Sequence, residues 1–381
     1  MERTTLMMIM FGLALLLLVL LLVGGLVGVV QLRGQDGPLK WGFVDATGKW
    51  LIPPTFSDVR SFSEGLAAVQ TNGMWGYVDQ SGTLVIPASY RSAQSFQPNG
   101  LAWVEDASGK KGAIDRTGAV RIPATLDRVS PFEQGVAAVG VQAGVRDVAG
   151  TLQPVFSFGL MDTSGAWLLR PLEGPRNPEL LTTIGTFSEG LAPAQKAGKK
   201  WGYVDASGVM TIPVQFENAQ SFSEGRAAVQ QGRKWGYIDS SGAVVVSPAF
   251  RRAHPFTEGI AAVCVSKCGF TLPNGAAPFS GNFESVGHFH SGVAAAKRDG
   301  KWGFVETTGV WRVEPTFSAA HSDGFQEGVA AVATGGGVFG GPKAWGFIDP
   351  EGTLQIPTQF ADVQPFSEGM AAAAVREAPR P

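Results

Sequence analysis

The sequence predicts an all-β repeat array of nine three-stranded antiparallel units. The first observation is a recurring pattern: Lys-Trp-Gly-aromatic-Val-Asp-x-x-Gly, an apolar run ending in Ile-Pro, then Phe-x-Glu-Gly-x-Ala-Ala-Val. Its period of roughly 34 to 47 residues is typical of units that bury their apolar faces by stacking on neighbours. The second observation is composition, since 51 Gly, 24 Pro and only 16% charged residues favour short strands joined by tight turns.

The N-terminal residues differ from the repeats. Residues 6–30 carry no charged side chain and are long enough to cross a bilayer with some tilt, so they predict a transmembrane signal anchor. A cleaved signal peptide is the alternative, but this apolar stretch is longer than such peptides use and lacks a convincing Ala-x-Ala site. We expect a tail at 1–5, a linker at 31–39, the array at 40–375 and a C-terminal tail at 376–381.

Charge distribution bounds the partners but leaves the orientation of the apolar stretch open. Arg3 lies before the apolar stretch while Arg33 and Lys40 follow it, so charge alone does not decide its orientation. We expect a single-pass membrane protein whose array lies outside the cytoplasm, in the periplasm or at the cell surface. The formal net charge of −2, with no block of Lys or Arg, excludes nucleic acid as a partner.

The first strand of each unit carries the Trp-Gly pair. Alternation places Trp41 and Phe43 on one face of the strand and Gly42 on the other. Because glycine in a strand marks a close approach by another group, we expect a neighbouring unit to pack against Gly42. The Trp residues of these pairs are expected to form the structural core of the repeats: Trp41, Trp75, Trp201, Trp235, Trp302 and Trp345.

A turn and a second strand follow. Asp45 and Gly48 have the spacing of a type I turn, in which the Asp side chain bonds the turn backbone. The same Asp-x-x-Gly recurs at Asp79, Asp115, Asp162, Asp205, Asp239 and Asp349. Trp50 then takes a core position in the returning strand. Pro53 is expected to end that strand, because proline cannot donate to a β-ladder.

Residues 62–69, with the sequence Phe-Ser-Glu-Gly-Leu-Ala-Ala-Val, supply a turn and a third strand. The chain then turns back into the next Trp-Gly strand, which completes an antiparallel meander. These units resemble the WG-repeat family, also called KWG repeats, of bacterial β-strand repeat proteins. Three units depart from the Trp-Gly pair, with Lys111-Gly112, Phe158-Gly159 and Cys268-Gly269 in its place.

The resemblance implies a binding or surface module without a generally assigned catalytic activity. Two architectures fit such units: an open, solenoid-like superhelix or a ring of propeller-like blades. Rings usually close at 4 to 8 blades of four strands, and the chain begins and ends at the same phase of the repeat. We therefore predict the open array, with the β-propeller-like ring as the alternative.

The candidate site residues are few. Cys264 and Cys268 lie where other units place a hairpin turn, so they are a possible disulfide, and the alternative is a pair of free thiols. The Asp and Glu residues of the turns are interpreted as solvent-facing, and His288 with His290 does not match a zinc pattern. We expect no catalytic residue, no cofactor, no metal ligand and no enzymatic activity, because the sequence shows no nucleophile elbow or phosphate-binding loop.

Three functions remain open on these grounds. The first is a membrane-anchored module for protein–protein interaction or scaffolding at the cell envelope. The second is carbohydrate or cell-wall binding through exposed aromatic residues, with Trp103 as the candidate ligand-facing residue, because it replaces a small residue of the other units. The third is an unrecognised enzyme. Segments that interrupt the period, at 140–155, 172–178 and 333–344, are candidate surface loops.

Overall fold

The computed structural model describes residues 37–197, 200–335 and 343–377. The predicted tail at 1–5, the anchor at 6–30 and most of the linker lie outside the described residues. In the described part of the chain, no helix is long and apolar enough to span a membrane.

The described residues form nine small antiparallel sheets, arranged as the blades of a closed ring of the β-propeller type. The number of units is as the sequence predicts, but the open superhelix is wrong. Three-stranded units are also wrong for all but one blade, since eight of these sheets have four strands and one has three.

The first two strands along the chain, β1 (Leu39–Val44) and β2 (Trp50–Phe56), belong to the last blade, blade 9. Blade 1 contains β3 (Asp58–Val59), β4 (Leu66–Thr71), β5 (Met74–Asp79) and β6 (Leu84–Tyr90). Blade 2 contains β7 (Ser92–Ala93), β8 (Leu101–Glu105), β9 (Lys111–Asp115) and β10 (Val120–Leu126). Blade 3 contains β11 (Arg128–Val129), β12 (Val136–Val148), β13 (Thr151–Asp162) and β14 (Trp167–Leu169).

The next three blades continue the same order. Blade 4 contains β15 (Leu181–Ile184), β16 (Leu191–Lys196), β17 (Trp201–Asp205) and β18 (Met210–Phe216). Blade 5 contains β19 (Asn218–Ala219), β20 (Ala227–Gln231), β21 (Lys234–Ile238) and β22 (Val244–Phe250). Blade 6 is the three-stranded blade, with β23 (Arg252–Thr257), β24 (Ile260–Cys264) and β25 (Cys268–Thr271).

The last three blades complete the ring. Blade 7 contains β26 (Ser285–His290), β27 (Val293–Arg298), β28 (Lys301–Glu306) and β29 (Trp311–Phe317). Blade 8 contains β30 (Ala319–Gln326), β31 (Val329–Thr334), β32 (Ala344–Ile348) and β33 (Leu354–Phe360). Blade 9 joins β34 (Asp362–Val363) and β35 (Ala371–Arg376) to β1 and β2.

The sequence unit and the blade are out of phase. Each unit gives its Trp-Gly strand and returning strand to one blade, and its closing strand to the next blade. The first unit therefore completes the blade that the last unit begins. The array begins and ends at the same point of the repeat. This feature predicts an open array from the sequence, but in the structure it is the arrangement that closes the ring.

The ring closes by continuous pairing between the two ends of the described chain. β1 pairs antiparallel with β35 from Leu39↔Arg376 to Val44↔Ala371, without a register shift. Hydrogen bonds then join blade 9 to blade 1, since Gln364 Nε2 donates to Val59 O at 3.0 Å and Ser367 Oγ donates to Phe62 O at 2.8 Å. These side-chain bonds recur between other neighbouring blades, as from Ser63 Oγ to Phe96 O at 2.6 Å.

The hydrophobic core is a series of clusters, each shared by adjacent blades. Phe43 and Ile52 of blade 9, for example, pack with Ala67 and Val69 of blade 1. The small Ala residues of the closing strands allow the sheets to approach closely. Trp41 and Trp75 are buried, as predicted for the structural core, and Trp201, Trp235, Trp302 and Trp345 are half-buried.

The Trp-Gly strand requires its glycine for a different reason from the predicted one. A Cβ at Gly42 would lie 2.3 Å from Ile52 O, so the close approach comes from the returning strand of the same blade and not from a neighbouring unit. That strand also continues past Pro53, which lies inside β2 where the register shifts. The expectation that Pro53 ends the strand is therefore wrong.

Candidate interaction surfaces

The strand order gives the ring two distinct faces. The hairpin face carries the hairpins that join each closing strand to the following Trp-Gly strand, as between Thr71 and Met74. The turn face carries the Asp-x-x-Gly turns and the turns that precede the closing strands, as at Glu64 and Gly65. All nine units are related by rotation about the ring axis, so equivalent elements lie on the same face.

Each Asp of the turn face is held by its own turn. Asp115 Oδ1 accepts bonds from the Thr117 hydroxyl at 2.6 Å, the Thr117 N–H at 2.9 Å and the Ala119 N–H at 3.1 Å. The hydroxyl bond is the main cause that lowers the pKa of Asp115 to about 2, and the bond from Arg121 adds to it. Asp115 is therefore a structural carboxylate, ionised at neutral pH.

The Glu-Gly turns connect neighbouring blades. Glu64 and Gly65 both have positive φ, at 56° and 79°, which is the backbone of a type I′ turn. The carboxylate of one turn accepts a bond from the backbone N–H of the next Gly, as between Glu224 Oε2 and Gly259 N at 2.8 Å. We call this carboxylate-to-backbone bond between neighbouring blades a latch. The other latches join Glu189 to Gly225, Glu258 to Gly292, Glu327 to Gly369 and Glu368 to Gly65. The Glu side chains at these latches are exposed, so this face presents carboxylates in fixed positions.

Exposed charged residues at the hairpin tips are more often basic than acidic, although Asp147 and Asp299 also lie there. The exposed Lys and Arg residues at or beside these tips are Lys200, Arg233, Lys234, Lys267, Arg298, Lys301 and Lys343. Among the described residues, none of these except Lys200 forms an ion pair with a carboxylate. The two faces of the ring therefore differ in charge.

The structure joins Cys264 and Cys268 in a disulfide across one hairpin of this basic face. The two residues are cross-strand partners of β24 and β25. Val265, within the loop that the bond closes, is 50% exposed. The bond therefore fixes a tight loop on the hairpin face of blade 6.

Blade 3 carries a long hairpin that we call the arm, residues 141–157. β12 and β13 pair with each other as far as Val148↔Thr151, whereas β11 reaches only to Gly140 and β14 only to Leu160. The arm therefore extends past the sheet by seven residue pairs, roughly 20 Å at the usual rise per residue. It accounts for the first of the period-breaking segments.

The two faces of the arm have different surroundings. Arg146 Nη2 donates to Pro175 O at 3.1 Å, so one face is braced by the second period-breaking segment. Residues on the opposite face, Val145, Asp147, Leu152 and Pro154, are exposed. Leu152 is 68% exposed, the largest value for a large hydrophobic side chain in the described ranges.

Trp103 does not face a ligand. It is 2% exposed and stacks on Phe132 at a centroid distance of 4.9 Å. Its Nε1 donates to Ser130 O in the next blade at 2.8 Å. The prediction that Trp103 is a candidate ligand-facing residue is wrong, because the large ring fills the space between blades 2 and 3.

The titratable groups inside the ring do not converge. Among the described residues, no three His, Cys, Asp or Glu side chains are grouped as metal ligands. The rings of His254 and His288 meet edge to face, with their centroids 5.1 Å apart. Burial is the main cause that lowers the pKa of His254, and electrostatic interaction with His288 and Arg252 adds to it. His254 is therefore neutral at physiological pH.

A cavity of about 220 Å³ lies between blades 3 and 4, and its lining includes the apolar side chains of Phe158 and Leu181.

Sequence reasoning missed both the basic face and the latches. The Lys of the Lys-Trp-Gly pattern and the Glu of the Glu-Gly turns are each visible as a repeat, but only ring closure puts each type on its own face. The exposed arm had a signal in the lengthened segment at 140–155.

The fold defines this chain as a nine-bladed β-propeller. The family described as WG containing repeat matches residues 41–75, 75–107, 112–141, 201–235, 235–267, 279–302, 302–337 and 345–376. The chain therefore belongs to the family of WG-repeat proteins. The unmatched segment between 142 and 200 holds the arm and the blade in which Phe158 replaces Trp.

Comparison with solved structures finds similarity at low sequence identity. A eukaryotic initiation factor is 11% identical, with a TM-score of 0.50 over 77% of this chain and 84% of that one. BamB from Moraxella catarrhalis is 9% identical, with a TM-score of 0.41 over 83% of this chain and 90% of that one. No curated protein matches this sequence.

Proposed function

We propose that this protein is a membrane-anchored, non-catalytic module that binds a basic segment of a partner protein on its turn face. The observation that carries the proposal is the chain of latches. The Glu side chain of each latch is held by the backbone N–H of the next blade, as Glu189 is by Gly225 at 2.9 Å and Glu224 by Gly259 at 2.8 Å. Carboxylates held in place lose little conformational freedom when a partner binds.

The membrane anchor is the apolar stretch at 6–30, and the array is placed outside the cytoplasm. The disulfide between Cys264 and Cys268 supports this compartment, because such bonds persist in oxidising environments. A fusion of alkaline phosphatase, which is active only outside the cytoplasm, to the C-terminus should be active in intact cells. Activity of a cytoplasm-dependent reporter at the same position would contradict this topology.

The partner face is tested by site-specific photo-crosslinking of the full chain in native membranes. A photoreactive residue at Glu224, on the turn face, should give a discrete cross-linked product that weakens as salt is raised. The matched control is Val265, which is 50% exposed on the hairpin face. Equal products from both positions, or none from either, would contradict binding at the turn face.

The carbohydrate-binding alternative lacks an exposed aromatic platform. Every Trp, Tyr and Phe in the described ranges is buried or half-buried, including Trp103. Protein binding is therefore the function that the geometry favours.

A further inference from the structure

The N-terminal residues attach to the ring on its hairpin face. Leu39, the first residue of β1, pairs with Arg376, and the backbone N–H of Glu377 donates to Pro38 O at 3.1 Å. The pair Lys40↔Val375 is equivalent to Met74↔Thr71 at the tip of the blade 1 hairpin, so Leu39 and Arg376 lie one residue beyond that position. The chain before residue 37 therefore joins the ring on the face where the hairpins lie.

The arm projects from that same face. It is the extension of the blade 3 hairpin, whose last pair is Val148↔Thr151. Residues 31–38 can span at most about 28 Å when fully extended. The arm reaches roughly 20 Å past its sheet. A ring tethered by residues 31–38 to a membrane-embedded 6–30 would therefore hold the arm within reach of the bilayer surface.

The exposed face of the arm carries three apolar side chains and one carboxylate near the end furthest from the ring. Val145 pairs with Pro154, and Leu152 pairs with Asp147, so these four side chains lie on one face of the ribbon. The Asp147 carboxylate accepts a bond from the Gly150 N–H at 2.7 Å at the tip, and the other three side chains are apolar. Val148, on the other face, is exposed at the tip. Nothing in the described chain covers these side chains, whereas the Arg146 side chain on the braced face bonds Pro175 O.

The charge of the ring favours the same orientation. Exposed Lys and Arg residues lie at hairpin tips, as at Lys234, Lys267 and Lys301, and exposed Glu residues lie on the opposite face, as at Glu224 and Glu258. A basic surface is attracted to anionic lipid headgroups over about a Debye length. An acidic surface is repelled by them.

We propose that the hairpin face lies against an anionic lipid bilayer and that the apolar side chains of the arm, Val145, Leu152 and Pro154, enter the bilayer interface. The inference rests on the proposed membrane anchoring and adds a second, independent attachment point. It also assigns the two faces: the basic face meets lipid, and the acidic face stays free for the protein partner.

The test uses the full chain reconstituted in vesicles of phosphatidylcholine and phosphatidylglycerol. A Leu152→Cys variant carries the environment-sensitive fluorophore NBD, while Cys264 and Cys268 stay joined to each other. NBD emission should shift to shorter wavelength, and lipids with a nitroxide on the acyl chain should quench it. The matched control is NBD on a Val120→Cys variant, since Val120 is 65% exposed beside a turn of the opposite face. That label should show neither effect.

Flotation of the unlabelled chain with vesicles separates the anchor from the arm. A chain that floats, with NBD at position 152 unquenched, overturns the arm inference and leaves the anchor standing. A chain that does not float contradicts both. A blue shift without lipid quenching means that protein, such as a second copy, covers the arm, and this also overturns the inference.

Two further variants test the contributions of apolar contact and charge. With NBD at position 148, on a Val148→Cys variant, the double change Val145→Ser and Leu152→Ser should abolish most of the quenching by nitroxide lipids. Replacement of Lys234 and Lys267 by Gln, or of phosphatidylglycerol by phosphatidylcholine, should reduce quenching. Unchanged quenching in vesicles without anionic lipid would contradict the part assigned to the basic face.

Discussion

Leu39 and Arg376 are cross-strand partners, although they lie near opposite ends of the described chain. Their pairing turns a linear series of repeats into a ring. It also gives β35, the final strand, a hydrogen-bonded neighbour on each side. The stability of the last blade should therefore depend on residues at the start of the array.

Phe43→Ala tests this dependence. Phe43 is fully buried in β1 and contacts Phe62 at a centroid distance of 4.7 Å. Its truncation should lower the free energy of unfolding by about 3 to 5 kcal/mol. Hydrogen exchange should also accelerate at residues 371–376. Leu51→Ala, at an exposed position of β2, is the control and should change neither quantity appreciably. Unaltered exchange at 371–376 in Phe43→Ala would contradict the closure.

A second prediction concerns the glycine of the Trp-Gly pair. Gly76→Ala would place a Cβ 2.5 Å from Ile86 O, so it should destabilise the protein by about 1 to 3 kcal/mol, the usual range for overpacking. Gly269→Ala is the matched control, because blade 6 lacks the fourth strand and the nearest atom lies 3.5 Å away. Urea denaturation should show a loss for the first variant only. Equal losses would mean that backbone approach is not the reason for this glycine.

The burial of Trp103 gives a third prediction. Trp103→Ala should cost about 3 to 5 kcal/mol, because it opens a cavity between blades 2 and 3. Trp103→Phe keeps an aromatic ring against Phe132 but removes the bond to Ser130 O, and should lose clearly less than Trp103→Ala. Thermal unfolding monitored by circular dichroism distinguishes the two. A negligible effect of Trp103→Ala on the Tm would contradict the burial of this ring between the blades.

The turn carboxylates predict acid sensitivity. The folded-state pKa of Asp115, about 2, lies below its ordinary value, so its stabilising contribution is present above about pH 4 and disappears as pH falls towards 2. In Asp115→Asn the side-chain oxygen can still accept the turn bonds, but the charge is absent. The Tm of the variant should therefore fall less steeply with decreasing pH than that of the natural chain. Parallel curves would contradict a depressed pKa at Asp115.

The local structure of a unit was largely predictable from its residues. The alternation around Trp41 and the Asp-x-x-Gly spacing at Asp45 identify the strands and the turn, because both depend on contacts within a few residues. The number of units follows from the repeat itself. These features are local, and local sequence is enough to specify them.

Closure was not predictable on the same grounds. It depends on pairing between Leu39 and Arg376, and a repeated sequence gives both chain ends the same pattern whether the array is open or closed. Trp103 was misassigned for a related reason, since only the position of Phe132 in the next blade shows that the large side chain has a place to fill. The charge difference between the faces likewise follows from the topology.

The prolines of the outer strands have a consequence for behaviour at high concentration. Each outer strand is an open sheet edge, where unpaired N–H and C=O groups can recruit a strand from another molecule and begin aggregation. Proline has no N–H, and it lies inside outer strands of most blades at Pro53, Pro87, Pro123, Pro213, Pro248, Pro315 and Pro357. Each proline therefore removes one donor from the rim of the ring and opposes the addition of a strand from another copy there.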